Sequence, residues 1–195
     1  MSARPFHPLA RPRLFSALFV LVLGLPLAAA VRPSQNPFAS RPEPEHALLK
    51  KLAGRWTTRF KLTMPGAPEI ESEGTEENEL LGELWLVGRY HDAQMQGGGF
   101  EGAQTLGYDP DRKKYVAVWA DNQDSHLGLQ EGSYDAATRT LALGGPTTNP
   151  MTGEASHMRS TMEWIDDDHR VSSMFVPGPG GKEMQMFTIE YARVK

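Results

Sequence analysis

The sequence predicts an all-β domain: an antiparallel up-and-down barrel of about ten strands, preceded by one short N-terminal helix. Three observations carry this. Apolar and polar residues alternate with period two from Trp56 to the end of the chain. Turn-forming clusters punctuate that stretch at hairpin-like intervals. No helical pattern after Gly54 is long enough for the crossover that parallel strands need. A sandwich satisfies the same pattern, but closure into a barrel removes edge strands and is the preferred reading.

Taken in order, residues 1–30 read as a secretory signal. Arg4, Arg11 and Arg13 precede an apolar run from Leu14 to Leu27, and Ala28-Ala29-Ala30 supplies the small residues a signal peptidase accepts before Val31. The alternative, an uncleaved anchor, would place 17 residues from Leu14 to Ala30 across the membrane. That spans about 25 Å of a core about 30 Å thick, and Pro26 interrupts it. The expectation is a periplasmic or secreted protein with no stable membrane anchor after cleavage. Residues 31–45 hold Pro33, Pro37, Pro42 and Pro44 and read as an extended tether. The barrel domain is expected over 46–195. A helix from Glu43 to Ala53 spaces Leu48, Leu49 and Leu52 on one face, with acids at its start and Lys50-Lys51 near its end. Gly54 stops it.

The first strand alternates Trp56, Thr58, Phe60 and Leu62 with Thr57, Arg59, Lys61 and Thr63. After a Pro65-Gly66 turn, Glu69 to Leu80 places Glu69, Glu71, Glu73 and Thr75 on one face and Ile70, Ser72, Gly74 and Glu76 on the other. If these strands pair, the acidic face meets Arg59 and Lys61. Further strands are expected over Leu84–Met95, Phe100–Tyr108, Lys114–Ala120, His126–Tyr134, Arg139–Leu143, Glu154–Trp164, Arg170–Val176 and Glu183–Val194. Gly97-Gly98-Gly99, Asp109-Pro110-Asp111, Gly144-Gly145-Pro146, Asn149-Pro150, Asp166-Asp167-Asp168 and the Pro177–Gly181 run read as the turns between them.

Composition excludes several functions. The formal charge of −4, from 20 basic and 24 acidic residues, offers no basic patch for nucleic acid. The absence of cysteine removes disulfides, thiol nucleophiles, thiolate zinc sites and iron–sulfur clusters. There is no Gly-x-Ser-x-Gly elbow, His-Glu-x-x-His helix or Walker loop, so no catalytic residue is assigned. Asp121, Asp124 and His126 form an Asp-x-x-Asp-x-His group that resembles a cation site, yet the surrounding run is what a hairpin loop requires. Six methionines between Met151 and Met186 could offer soft ligands to copper, but no dense Met-x-x-Met cluster occurs. His91, His126 and His157 sit in no haem-ligand motif. No metal or cofactor is therefore expected.

By alternation the inner wall holds Trp56, Thr58, Phe60, Phe100, Leu106 and Tyr108, with Trp119 and Tyr191 on further inward faces. Such a wall is apolar with a few polar handles, as small-molecule pockets need. Ser72, Gly74, Glu76 and Asn78 make poor core and suit water or a polar ligand. The expected role is binding of a small apolar or amphipathic molecule, lined by Trp56, Phe60, Tyr108, Trp119 and Tyr191. Arg159 is a candidate anchor for a carboxylate, set against the plainer reading of an outer-face cation paired with glutamate. Two alternatives stay open. An enzyme in the same cavity would need a buried titratable group, for which Glu76 is the strand candidate, and an arginine beside it would favour this reading. A filled barrel would instead be a structural or interaction protein.

Gly54-Arg55-Trp56, opening a strand directly after a helix, is similar to the Gly-x-Trp of lipocalins and fatty-acid-binding proteins. Phe100-Glu101-Gly102, Thr105-Leu106-Gly107-Tyr108-Asp109, Lys114-Tyr115, Trp119-Ala120-Asp121, Gly132-Ser133-Tyr134-Asp135, Pro150-Met151-Thr152-Gly153 and Glu190-Tyr191-Ala192-Arg193 follow in order. Together they resemble a bacterial family of small, often exported, lipocalin-like proteins catalogued only as a domain of unknown function. The resemblance covers roughly 46–195. It implies a calycin-type barrel with an internal cavity and the helix near one mouth, and it brings no established activity.

Overall fold

The computed structural model describes residues 39–63, 68–95, 99–149 and 152–195. The signal segment and most of the proline-rich tether read from the sequence lie outside these residues.

A 3-10 turn, Pro44–His46, leads into helix α1, Ala47–Leu52. Proline fits the first helical position because it has no N–H to leave unpaired there, and the Glu43 amide donates to His46 Nδ1 at 2.9 Å. Leu48, Leu49 and Leu52 are buried on one face, while Lys50 and Lys51 point out. Gly54 follows in the left-handed region at φ +110°, a conformation that favours glycine.

The strands are β1 Gly54–Leu62, β2 Ile70–Leu81, β3 Trp85–Asp92, β4 Phe100–Asp109, β5 Lys114–Asp121, β6 Gly128–Asp135, β7 Thr140–Thr148, β8 Ala155–Trp164, β9 His169–Pro177 and β10 Glu183–Arg193. Among the described residues these ten close into one antiparallel barrel in which each strand pairs with its sequence neighbours and β10 pairs with β1. Among the described residues the closure leaves no strand with only one neighbour. The acidic outer face of β2 meets β1 as expected: Glu73 lies opposite Arg59 and Glu71 opposite Lys61, and Lys61 Nζ sits 2.7 Å from Glu69.

One turn expectation is corrected. Gly144-Gly145-Pro146 continues β7 instead of ending it. A Cβ on Gly145 would stand 1.9 Å from the Leu129 carbonyl, so glycine permits a close backbone approach there. The register of β6 on β7 ends at Glu131 and Gly144. Pro146 therefore lies where β7 pairs only with β8, opposite His157, and its missing N–H breaks no ladder bond to β6.

α1 covers one end of the barrel. Its three leucines pack on Leu86, Leu106, Tyr115, Leu141 and Trp164, each buried leucine contributing about 1.5–3 kcal/mol. Arg193 fastens the lid. Its guanidinium lies 4.1 Å over Trp56 and donates to the carbonyls of Ala53 and Lys51 at 2.7 Å each. These are carbonyls a helix end otherwise leaves unpaired. A second apolar cluster, Met158, Val176 and Met186 with Leu62, Met174, Met184 and Phe187, packs elsewhere on the wall.

Candidate functional site

Alternation turns Ser72, Glu76 and Asn78 of β2 inward, because Glu71, Glu73, Glu77 and Glu79 occupy its solvent face. Ser72 is satisfied locally. It donates to Asp92, whose other oxygen accepts the amides of Gln94 and Met95 at 2.9 Å and so shapes the turn after β3. Glu76 lies beside Trp56 on β1 and Tyr90 on β3. Arg170 reaches it from β9: Nη2 donates to Glu76 Oε1, and Asn78 Nδ2 donates to the same oxygen. Arg170 is 1% exposed and Glu76 3%. Two charges this deep persist only when paired and hydrogen-bonded.

Aromatic faces complete the setting. The Arg170 guanidinium lies 3.5 Å over Tyr191 and 4.7 Å over Trp56, an arrangement that suits the weakly hydrated, planar cation. Trp56 Nε1 and Asn78 Nδ2 both donate to the Leu52 carbonyl, at 2.9 and 3.0 Å. The pair therefore sits directly on the helix end and forms a polar floor inside the barrel. Burial, reinforced by Glu76, holds the Tyr191 phenol well above its usual range, and burial does the same to Tyr90 more weakly. Both remain neutral hydroxyls at physiological pH.

The floor is not fully satisfied. Arg170 Nε and Asn78 Oδ1 are buried without a hydrogen-bond partner, and Arg170 Nη1 has only the Met162 sulfur at 3.6 Å. A thioether is a weak acceptor. Trp164 Nε1, also unpartnered, belongs to the apolar packing under the helix.

Above the floor, inward side chains keep contact with solvent. Gln104, Trp119, Gln130, Ser160, Ser172 and Met174 share the inner registers of β4, β5, β6, β8 and β9, yet each is only half-buried. Trp119 stacks on Phe100 at 6.2 Å with 15° between the planes, and its Nε1 donates to Asp121 at 2.9 Å. Gly102 makes room for it: a Cβ there would stand 2.2 Å from the indole. Ser160 donates to Gln130 at 2.6 Å.

The residues expected as a lining thus divide. Trp56 and Tyr191 form the floor around Arg170. Phe60 packs on Phe187 at 5.4 Å between ring centres, and Trp119 lies on the half-buried wall. Tyr108 sits beside the start of the helix instead, 5.8 Å from His46 and 5.2 Å from Tyr115. It lines a cleft of about 510 Å³ with Glu45, Leu48, Lys51 and Tyr134. Arg159 is on the outer face, bonded to Glu183 at 2.9 and 2.6 Å and lying 4.0 Å over Phe175. The buried guanidinium is Arg170, which the sequence reading missed. Its signal was an arginine in the same register as Ser172, Met174 and Val176.

The Asp121, Asp124 and His126 group resolves into loop chemistry. Asp121 accepts the amides of Gln123 and Asp124 at 2.8 Å, and Asp124 bonds His126 Nδ1 at 2.8 Å on the exposed loop. Among the described residues, no three histidine or carboxylate side chains cluster as metal ligands would.

Comparison with known proteins adds a family and a fold. The family described as "Protein of unknown function (DUF1579)" matches residues 41–193. The crystal structure of Rv2717c from M. tuberculosis is similar at 16% identity and TM-score 0.60, over 80% of this chain and 100% of that one. An S-type phycobiliprotein lyase, CPES from Guillardia theta, is similar at 10% identity and TM-score 0.52, over 77% of this chain and 93% of that one. No curated protein matches.

Proposed function

Because the chain belongs to the DUF1579 family, whose function is unknown, we propose a role from the barrel itself: it binds one small, largely apolar or amphipathic molecule in its interior. The observation that carries this is the half-buried inner wall. Trp119, Gln104, Gln130 and Ser172 point inward without being packed out of solvent, whereas a filled barrel would bury them at native density. Aromatic walls with a few fixed polar groups are what small-molecule sites offer. The phycobiliprotein lyase among the structural neighbours shares the fold, which agrees with the reading at that level.

Native mass spectrometry of the protein purified from cells, followed by denaturation, tests it. A defined small molecule at near one-to-one stoichiometry is expected. Titration with the neutral fluorophore N-phenyl-1-naphthylamine gives a second test. Trp119→Ala should abolish its binding while circular dichroism stays that of a folded barrel, and unchanged affinity in that folded variant would remove Trp119 from the site.

The buried carboxylate beside an arginine also favours an acid–base enzyme using Glu76. Its Oε1 is already tied to Arg170 and Asn78, which suits holding a ligand better than moving a proton. Export belongs to the same proposal, on the strength of the charged, apolar and small-residue segments of 1–30. A mature N-terminus at Val31 is the expected result of sequencing.

A further inference from the structure

We infer that the floor of the barrel selects a neutral ligand ending in a carboxamide-type group, with a carbonyl acceptor beside an N–H donor. This rests on the binding reading above and adds the ligand's chemical class. The argument starts from charge. Arg170 is already compensated by Glu76, and both are buried. A ligand carboxylate brought to this floor would leave one buried negative charge uncompensated, the costly case. A neutral polar group adds no net charge.

Hydrogen-bond inventory then narrows the class. On the donor side, Arg170 Nε is unpartnered and Nη1 has only a thioether. On the acceptor side, Asn78 Oδ1 is unpartnered. Arg170 and Asn78 donate to the same Glu76 oxygen, so the free donor and the free acceptor belong to one cluster. An amide answers both with its carbonyl and its N–H, whereas an ester or ketone answers only the donor. Gly88 lets Asn78 and Gln104 crowd together on the acceptor side, since a Cβ there would stand 2.2 Å from Asn78 Oδ1 and 2.9 Å from Gln104 Nε2. Gln104 is half-buried. Its own carboxamide thus lies beside the unpartnered oxygen, where a ligand amide would take its place. Met162, also half-buried, is the second group a ligand would displace.

The test is competition against N-phenyl-1-naphthylamine on the full chain, using decanamide, methyl decanoate and decanoate. Decanamide should compete at a concentration about tenfold below that of methyl decanoate, the value of one additional satisfied hydrogen bond, with decanoate weakest. Asn78→Leu should bring amide and ester within about threefold. Glu76→Gln is the decisive variant, because it leaves Arg170 uncompensated: decanoate should overtake decanamide. Should Glu76→Gln fail to fold, the paired variant Glu76→Leu with Arg170→Met removes the donor: decanamide and methyl decanoate should then both weaken, while the amide keeps its lead over the ester through Asn78 Oδ1. Equal or better competition by decanoate in the unaltered protein overturns the inference alone, as does an order indifferent to Glu76. Failure of the fluorophore and all three competitors to bind overturns the binding reading together with it.

Discussion

Replacing Arg170 by methionine tests the energetic core of the barrel floor. The substitution keeps most of the side-chain volume and removes the charge. It strips the cation from Glu76, which is 3% exposed, and from the faces of Tyr191 and Trp56 at 3.5 and 4.7 Å. Breaking one partner of a buried pair costs about 3–5 kcal/mol, and a desolvated cation–π contact is worth about 2 kcal/mol. The losses overlap, so the expected destabilisation is about 4 kcal/mol. For a domain of this size each kcal/mol moves Tm by about 2–4 °C, so a fall of about 8–16 °C should accompany it. Adding Glu76→Leu removes the stranded carboxylate. The double variant should recover to within about 2 kcal/mol of the parent, far short of the sum of the two single losses. Urea unfolding followed by tryptophan fluorescence measures all four corners of the cycle. A single Arg170→Met loss below about 1 kcal/mol, or a double variant equal to the sum of the singles, would refute the view that the pair is buried and mutually dependent.

Arg193→Ala should cost about 2–3 kcal/mol, since it removes charged hydrogen bonds to Lys51 and Ala53. Hydrogen exchange should then accelerate in Leu49–Leu52, and unchanged protection there would show the helix is held by its leucines alone. Gly102→Ala should force the Trp119 indole off the wall from its 2.2 Å clash, with a changed near-ultraviolet circular dichroism spectrum and a loss of about 1–3 kcal/mol. Alkaline stability follows from the tyrosines. Burial pushes Tyr115 up to about 12 and also raises Tyr191 and Tyr90. Above the unfolded value near 10, the unfolded chain releases these protons while the native barrel keeps them. Their stabilisation is therefore complete below about pH 10 and is lost as pH rises toward 12. Phenolate absorbance at 295 nm should appear for these groups in step with unfolding, and their independent early titration would contradict the burial.

Much of this architecture was legible one strand at a time. Period-two alternation told β2 to face its acids outward and Ser72, Glu76 and Asn78 inward, and pairing with Arg59 and Lys61 confirmed that register. Leu48, Leu49 and Leu52 announced a one-sided helix, and Gly54 its end. Local chemistry decides such features because neighbours in sequence are neighbours in space. Gly144-Gly145-Pro146 misled for the same reason: its turn propensity is local, while its place in β7 depends on how closely β6 and β8 approach. The two arginines show the boundary most sharply. Arg159 and Arg170 both lie in strands beside methionines and aromatics, and one residue of register decides which faces the barrel and which faces water. Sequence determined the strands, their order and the polarity of each face. Only closure of the barrel brought Arg170 to Glu76, 94 residues away, because that meeting depends on the curvature of the whole sheet and on no local pattern.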